Sequence, residues 1–154
     1  MEIDLDELDR RILNALQADA SQTNHQLAQQ VHASAPTCLR RVKRLTDAGV
    51  ITRQVALVAP ELVGPRLMAI VEVTLDHQGA ERQVEFETLV AGEPAVLQCY
   101  RVSPGPDFVL VVQVADMAAY HALAHQLFAA QKNVRNVRSY FSIHRSKFET
   151  RIAV

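Results

Sequence analysis

The spacing of apolar residues predicts a helical first third of the chain. Apolar positions recur at helical spacing at Leu5, Leu8, Ile12, Leu13 and Leu16. This stripe predicts an amphipathic first helix over residues 5–18. Thr23 and Gln26 have the spacing of a capping box and predict the start of a second helix. Ser34 is suited to cap a third helix, which Gly49 ends.

The pattern changes after Gly49. The stretch "VITRQVALV", residues 50–58, is rich in β-branched residues and predicts a short strand. The stretch "APELVGP" contains two prolines and a glycine and predicts a linker. We therefore expect a helical domain with a short strand and linker over residues 1–60, and a second domain over residues 61–154.

The second domain alternates strand and helix patterns. Apolar residues recur at period two at Leu67, Ala69, Val71, Val73 and Leu75. A helix ("ERQVEFETLVAG"), two strands ("AVLQCYRV" and "DFVLVVQVAD"), a helix ("MAAYHALAHQLFAAQ") and a strand ("VRSYFSIHR") follow. The βαββαβ order predicts a ferredoxin-like antiparallel sheet with two helices on one face, so the fold class is α+β. Met68 and Ile70 add apolar area to the other face, which predicts dimerisation through the sheets.

Charge and composition restrict the possible functions. The 154 residues are 49% hydrophobic with a formal net charge of -1, so nucleic-acid binding would need a local basic patch. The acidic start and the lack of a long apolar run predict a cytoplasmic protein that does not enter the membrane. Cys38 and Cys99 have no metal-ligand spacing, and we expect both to be small buried hydrophobic side chains.

The predicted third helix, residues 35–48, provides such a patch. It contains four cations within five positions, Arg40, Arg41, Lys43 and Arg44. At about 100° per residue, its apolar positions fall on one side, and Thr37, Arg40, Arg41 and Arg44 fall on the other with Lys43 beside them. We expect no acidic partner at i,i+4. A solvated helix face is one interpretation; the other is a helix-turn-helix whose third helix contacts base edges in the major groove.

The residues of both parts resemble a known family. "LDELDRRILNALQADASQTNHQLAQQV" followed by "CLRRVKRLTDAGVI" is similar to the N-terminal half of the Lrp/AsnC family of transcriptional regulators, with a helix-turn-helix of the winged-helix type. The resemblance extends over essentially the whole chain. It implies a C-terminal effector-sensing RAM domain, a homodimer assembling to a tetramer or octamer, and binding to double-stranded DNA modulated by a small molecule, most often an amino acid. It also implies DNA contacts from Thr23, Asn24, Thr37, Arg40, Arg41, Lys43 and Arg44. Among these, we expect Thr37 and Arg40 to read bases, and Arg41 and Arg44 to contact the DNA backbone.

The resemblance also implies a location for the effector. In the family it lies between dimers beside a Gly-x-x-Asp loop, which here reads "RVSPGPDFVLVV". Asp107 matches, but Pro104 stands at the usual glycine position and removes an amide donor. The expected effector residues are Tyr100, Ser103, Pro104, Gly105, Pro106, Asp107 and Ser139. A plain hairpin turn is the alternative.

Two other functions are weighed from the residues. His121 and His125 are four apart on a predicted helix, but no third metal ligand is near in the sequence. Phosphate-binding loops and nucleophile motifs are also missing, so we expect no enzyme and no cofactor beyond a possible amino-acid effector. A nucleoid-organising DNA-binding protein without an effector remains open as the alternative to a regulator.

Overall fold

The structure is a computed structural model that describes residues 4–64 and 66–154. The described chain forms two compact units. One unit contains the described residues up to Leu57 together with Lys147–Val154, and the other is Val58–Ser146. The chain therefore leaves the first unit, builds the second, and returns to the first, whereas the sequence assigned residues 147–154 to the second domain.

The first unit is built from three helices. They are α1 (Glu7–Ala18), α2 (Asn24–Gln30) and α3 (Ala35–Asp47). The hydroxyl of Thr23 accepts from the amide of Gln26, and the Gln26 side chain accepts from the amide of Thr23, which confirms the predicted capping box. Ser34 caps α3, and Gly49 follows it at φ 74°, a conformation that glycine adopts without strain. The buried side chains that join the helices include Ile12, Leu13, Leu27, Cys38 and Leu45.

The predicted strand over residues 50–58 is wrong. Residues 52–59 have no regular secondary structure, and Val55 and Leu57 are 59% and 65% exposed. β-branched residues favour an extended backbone, but a strand also needs a neighbour to exchange hydrogen bonds with. None of the described residues pairs with this segment, so local composition alone does not produce a strand.

The last eight residues belong to the helical unit because they contact α1. The Gln17 amide group donates to the carbonyl of Ile152 at 3.0 Å and accepts from its amide at 2.8 Å. Val154 packs against the core of the three helices. The two hydrogen bonds join residues 135 positions apart, which no local pattern could indicate.

The second unit is a four-stranded antiparallel sheet with two helices. Its elements are β1 (Leu67–Leu75), α4 (Ala80–Ala91), β2 (Val96–Arg101), β3 (Phe108–Val114), α5 (Met117–Ala124) continued by a π-helical segment (His125–Ala129), and β4 (Val134–Phe141). The strand order is β2-β3-β1-β4, and each neighbouring pair is antiparallel. This confirms the ferredoxin-like βαββαβ prediction.

The two faces of the sheet differ as the period-two pattern predicts. Ala69, Val71 and Val73 are fully buried against side chains of α4 and α5, including Phe86 and Tyr120. On the other face Ile70 is 43% exposed. One face of the sheet is therefore a core, and the other is a partly apolar surface.

Two expectations about the edge strands are wrong. The last strand was predicted over residues 137–145, but β4 pairs with β1 only from Val134 to Phe141. The amide of Ser142 still donates to the carbonyl of Met68 at 2.9 Å, and within the described chain no residue after Ser142 has a backbone hydrogen bond to β1. Cys99 is exposed rather than buried because β2 lies at the edge of the sheet.

Candidate nucleic-acid interface and effector loop

The exposed face of α3 is rotated relative to the face expected from its charges. The exposed positions along it include Pro36, Leu39, Arg40, Lys43 and Asp47. Leu39 is an apolar residue of this helix, yet it is 62% exposed. Thr37, Arg41 and Arg44 are only half-exposed. The surface that α3 offers is therefore a mixed one rather than a cluster of arginines.

Arg41 and Arg44 point toward the start of α1. Arg41 Nη1 lies 2.7 Å from Asp6 Oδ2 and 3.3 Å from Asp9 Oδ2, and Arg44 Nη2 donates to the same oxygen of Asp9. The Asp9 side chain is fully buried. The expectation that these two arginines face outward as part of the DNA surface is wrong, because their position on the helix places them against the acids at the start of α1.

The charges in this cluster stabilise one another. The pKa of Asp6 is below its usual value of 3.8, chiefly because its carboxylate accepts from the amide of Asp9, with a further contribution from Arg41. The pKa of Arg41 is raised, chiefly by its hydrogen bond to Asp6. The Nε atoms of Arg41 and Arg44 are buried and have no partner among the described residues. Asp6 and Arg41 therefore remain charged at neutral pH. The side chains of Arg41 and Arg44 are 22% and 39% exposed, so both are partly covered by the start of α1.

Arg40 and Lys43 are the cations that remain available on the outer face. Lys43 Nζ lies 3.0 Å from Asp47 Oδ2, an i,i+4 pair that the sequence analysis did not expect. The side chains of Lys43 and Asp47 are 74% and 63% exposed, so the pair stabilises the helix little. Lys43 can therefore leave Asp47 and bind another anion. Arg40 has no ion-pair partner among residues 4–64 and 66–154.

The remaining residues of the expected DNA surface take part in helix capping. Thr23 is occupied by its capping box with Gln26. Asn24 Nδ2 donates to the carbonyl of Ala35 at 2.8 Å, which fixes α2 to the start of α3. The Thr37 hydroxyl accepts from Ser34 Oγ at 2.8 Å. Asn24 and Thr37 therefore hold the turn between α2 and α3, whereas Thr23 is exposed and caps the start of α2.

In the effector loop, the acid that matches the Gly-x-x-Asp pattern is turned inward. Asp107 is 7% exposed, and Oδ2 accepts from the amide of Leu75 at 2.7 Å and from Gln78 Nε2 at 3.4 Å. Gly105 has φ 122°, a conformation that residues with a Cβ rarely adopt, so the turn needs glycine there. Ser103 and Pro104 are exposed, and Pro106 is half-buried. Asp107 therefore connects the loop to the end of β1.

The other two expected effector residues are not brought together within one chain. Tyr100 pairs with Val109 across β2 and β3, on the face away from the helices, and is 53% exposed. Ser139 pairs with the buried Val71, and its hydroxyl is hydrogen-bonded to that of Tyr120. They are on opposite faces of the two edge strands, so a site using both would need more than one copy.

The acidic residues of α1 are the site residues that the sequence analysis missed. Asp6 and Asp9 were assigned only to an acidic start, although they hold two of the four cations of α3. The available signal was charge complementarity: an acid-rich "DLDELD" precedes a basic helix in a chain of formal charge -1.

In the described part of the chain, no three histidine, cysteine or acidic side chains cluster as a metal site. Nor does any helix within it have the length and apolar character needed to span a membrane.

We expect Asp107→Ala to destabilise the second unit by about 1–3 kcal/mol, because the buried amide of Leu75 loses its acceptor. Urea unfolding measures this difference. Ser103→Ala, an exposed change in the same loop, is the control and should stay within about 0.5 kcal/mol of the wild type. Equal stability of the two variants would show that the turn does not need the Asp107 carboxylate.

Comparisons with known proteins agree with both units. The family described as "Winged helix-turn-helix DNA-binding" matches residues 5–52, and the "Lrp/AsnC ligand binding domain" matches residues 68–152. An uncharacterized HTH-type transcriptional regulator of Haemophilus influenzae is 39% identical over 148 residues, which cover 96% of this chain and 88% of the relative.

Two further comparisons extend over nearly the whole chain. The leucine-responsive regulatory protein of Escherichia coli is 33% identical over 151 residues, covering 98% of this chain and 92% of the relative. A transcriptional regulator of Neisseria meningitidis, solved in complex with L-Met, is similar with a TM-score of 0.87 and 31% identity, covering 96% of this chain and 95% of that one. With both domains matched and these relatives similar along their length, the chain belongs to the Lrp/AsnC family of DNA-binding transcriptional regulators.

Proposed function

We propose that the chain binds double-stranded DNA through the exposed face of α3, with Arg40 as the central contact. The helix follows α2 after a turn of residues 31–34, the arrangement in which the last helix enters the major groove. Arg40 is exposed and has no acidic partner in the described chain, so its planar fork is free to bind a guanine edge or a phosphate. Lys43 is beside it, and its exposed pair with Asp47 can exchange for phosphate.

The remaining expected contacts have supporting roles in this proposal. Thr23 is at the start of α2 and Thr37 is in the first turn of α3, and their hydroxyl groups can donate to phosphate oxygens without carrying sequence information. Asn24 acts by fixing the turn through Ala35. A regulator of this kind acts on chromosomal DNA in the cytoplasm and needs no catalytic step.

The sheet face away from the helices supports a homodimer. Tyr140, Ile70 and Val111 are paired side by side across β4, β1 and β3. Tyr140 and Ile70 are 46% and 43% exposed, an apolar row that a second copy would cover. A two-fold dimer would present two copies of α3 to two half-sites, and tetramers or octamers would form from such dimers.

The effector is proposed to be an amino acid. The family domain over residues 68–152 is a ligand-binding domain, and two relatives are named for leucine or solved with L-Met. Because Tyr100 and Ser139 are on opposite faces, the proposed site forms between copies rather than within one. A nucleoid-organising protein without an effector is the second candidate, favoured by the inward position of Asp107.

Arg40→Gln should weaken binding to a duplex selected from randomised DNA by at least about fivefold, because a bidentate arginine contact discriminates by about 1–3 kcal/mol. Fluorescence anisotropy at constant salt measures the affinity. Arg82→Gln on α4 removes the same charge from an exposed i,i+3 pair and is the matched control. Equal affinities of the two variants would contradict the assignment of α3.

Ile70→Lys should convert the dimer to a monomer at micromolar concentration, since it puts a charge into the apolar row of the sheet. Sedimentation velocity gives the mass. Val84→Lys, at a 55% exposed position of α4, is the control and should remain a dimer. If Ile70→Lys has the mass of the wild type, the dimer does not use this face.

At least one of the twenty amino acids should raise the melting temperature and change the affinity for the selected duplex. A ligand that binds only the folded state raises its apparent stability in proportion to the logarithm of its concentration. Scanning fluorimetry with each amino acid at millimolar concentration, followed by anisotropy with any hit, tests this. If none has an effect on a protein that binds DNA, the nucleoid-organising alternative is correct.

A further inference from the structure

Acids at the start of α1 and arginines on the inner side of α3 pair with one another. Asp9 is fully buried and accepts from Arg41 and Arg44, and its Oδ2 also accepts from the amide of Asp6 at 3.1 Å. Asp6 accepts from Arg41 on the solvent side, where its side chain is 50% exposed. The two acids and two arginines of this acid–arginine cluster have no net charge, so the cluster adds nothing to the basic patch.

The carboxylates of Asp6 and Asp9 bind the guanidinium groups as DNA phosphates would. A guanidinium group binds a carboxylate or a phosphate through the same N–H donors. Arg41 Nη1 is within 3.3 Å of oxygens of both acids, and the Nε atoms of Arg41 and Arg44 are buried. Of the two acids Asp6 is the exposed one, at 50% against 0% for Asp9, so it is the point at which a DNA phosphate could replace the protein's own acid.

We propose that Asp6 and Asp9 limit the sequence-independent affinity of α3 for DNA by holding Arg41 and Arg44 in place of phosphate. This inference rests on the proposed binding of DNA through α3. Each phosphate that a protein neutralises adds to binding at every sequence and makes it more dependent on salt. Because Arg41 and Arg44 are held by acids, they neutralise no phosphate, and Arg40 and Lys43 are the cations left on the outer face. The two acids are thus specificity determinants, although neither contacts a base.

The test is the salt dependence of binding by Asp6→Asn. Asparagine is as good an N-cap as aspartate, so the helix start is retained while the charge that holds Arg41 is lost. The apparent affinity for a duplex of unrelated sequence is measured by anisotropy from 50 to 300 mM KCl. We expect several-fold tighter binding at the lowest salt and a slope of log affinity against log salt steeper by up to about 0.9, one additional phosphate contact.

The matched control is Asp4→Asn. It removes the same charge two positions earlier, where the described chain shows no hydrogen bond or ion pair for Asp4. Any general effect of lost negative charge appears equally in both variants, so only the difference between their slopes reports the direct contact. Asp6→Asn combined with Arg41→Gln should return to the wild-type slope, and Arg41→Gln alone should keep it.

The outcomes separate this inference from the proposed function. Equal slopes for Asp4→Asn and Asp6→Asn overturn the inference, because loss of Asp6 then adds no phosphate contact. A less steep slope for Arg41→Gln alone also overturns it, because Arg41 then already contacts phosphate in the wild type. Loss of DNA binding by the wild type itself overturns the proposed function as well. Circular dichroism confirms that each variant is folded, and Asp9→Asn, if folded, should raise the slope further by releasing Arg44.

Discussion

The arrangement of the DNA-binding unit depends on the buried carboxylate of Asp9. A buried charge without a partner is strongly destabilising, since the medium around it solvates it poorly. Asp9 has Arg41 and Arg44 as partners, and both come from α3. Together with the buried side chains of Cys38 and Leu45, these contacts fix the rotation of α3 about its own axis. The rotation in turn decides that Leu39 and Arg40 face outward.

The second unit, like α3, has one face packed in the core and one face exposed. In the sheet, alternate residues of β1 are either buried against two helices or left on the other side, where Ile70 is 43% exposed. A face that is covered within the chain stabilises the monomer, and a face that is not covered is available to another copy. The helical unit and the sheet unit thus each have a face that stabilises the fold and a face available for binding.

In the loop at residues 103–107, the acid of the family's effector motif has a structural role. Asp107 is at the position expected to serve an effector, yet its carboxylate accepts from the amide of Leu75 and holds the turn against β1. A buried amide needs an acceptor, so the acid is required whether or not a ligand binds. Gly105 provides the backbone conformation that the turn needs. A ligand at this loop would then contact its exposed rim, including Ser103.

The sequence alone determined the elements whose signals are local. The helix caps at Thr23 and Ser34, the period-two pattern of β1 and the βαββαβ order all follow from residues a few positions apart. Tertiary structure decided what depends on distant partners. Residues 50–58 are not a strand because no neighbour pairs with them, and Arg41 turns inward because Asp9 is buried beside it. A pattern records the preferences of a segment, whereas the pairing of charges and strands depends on which segments the folded chain brings together.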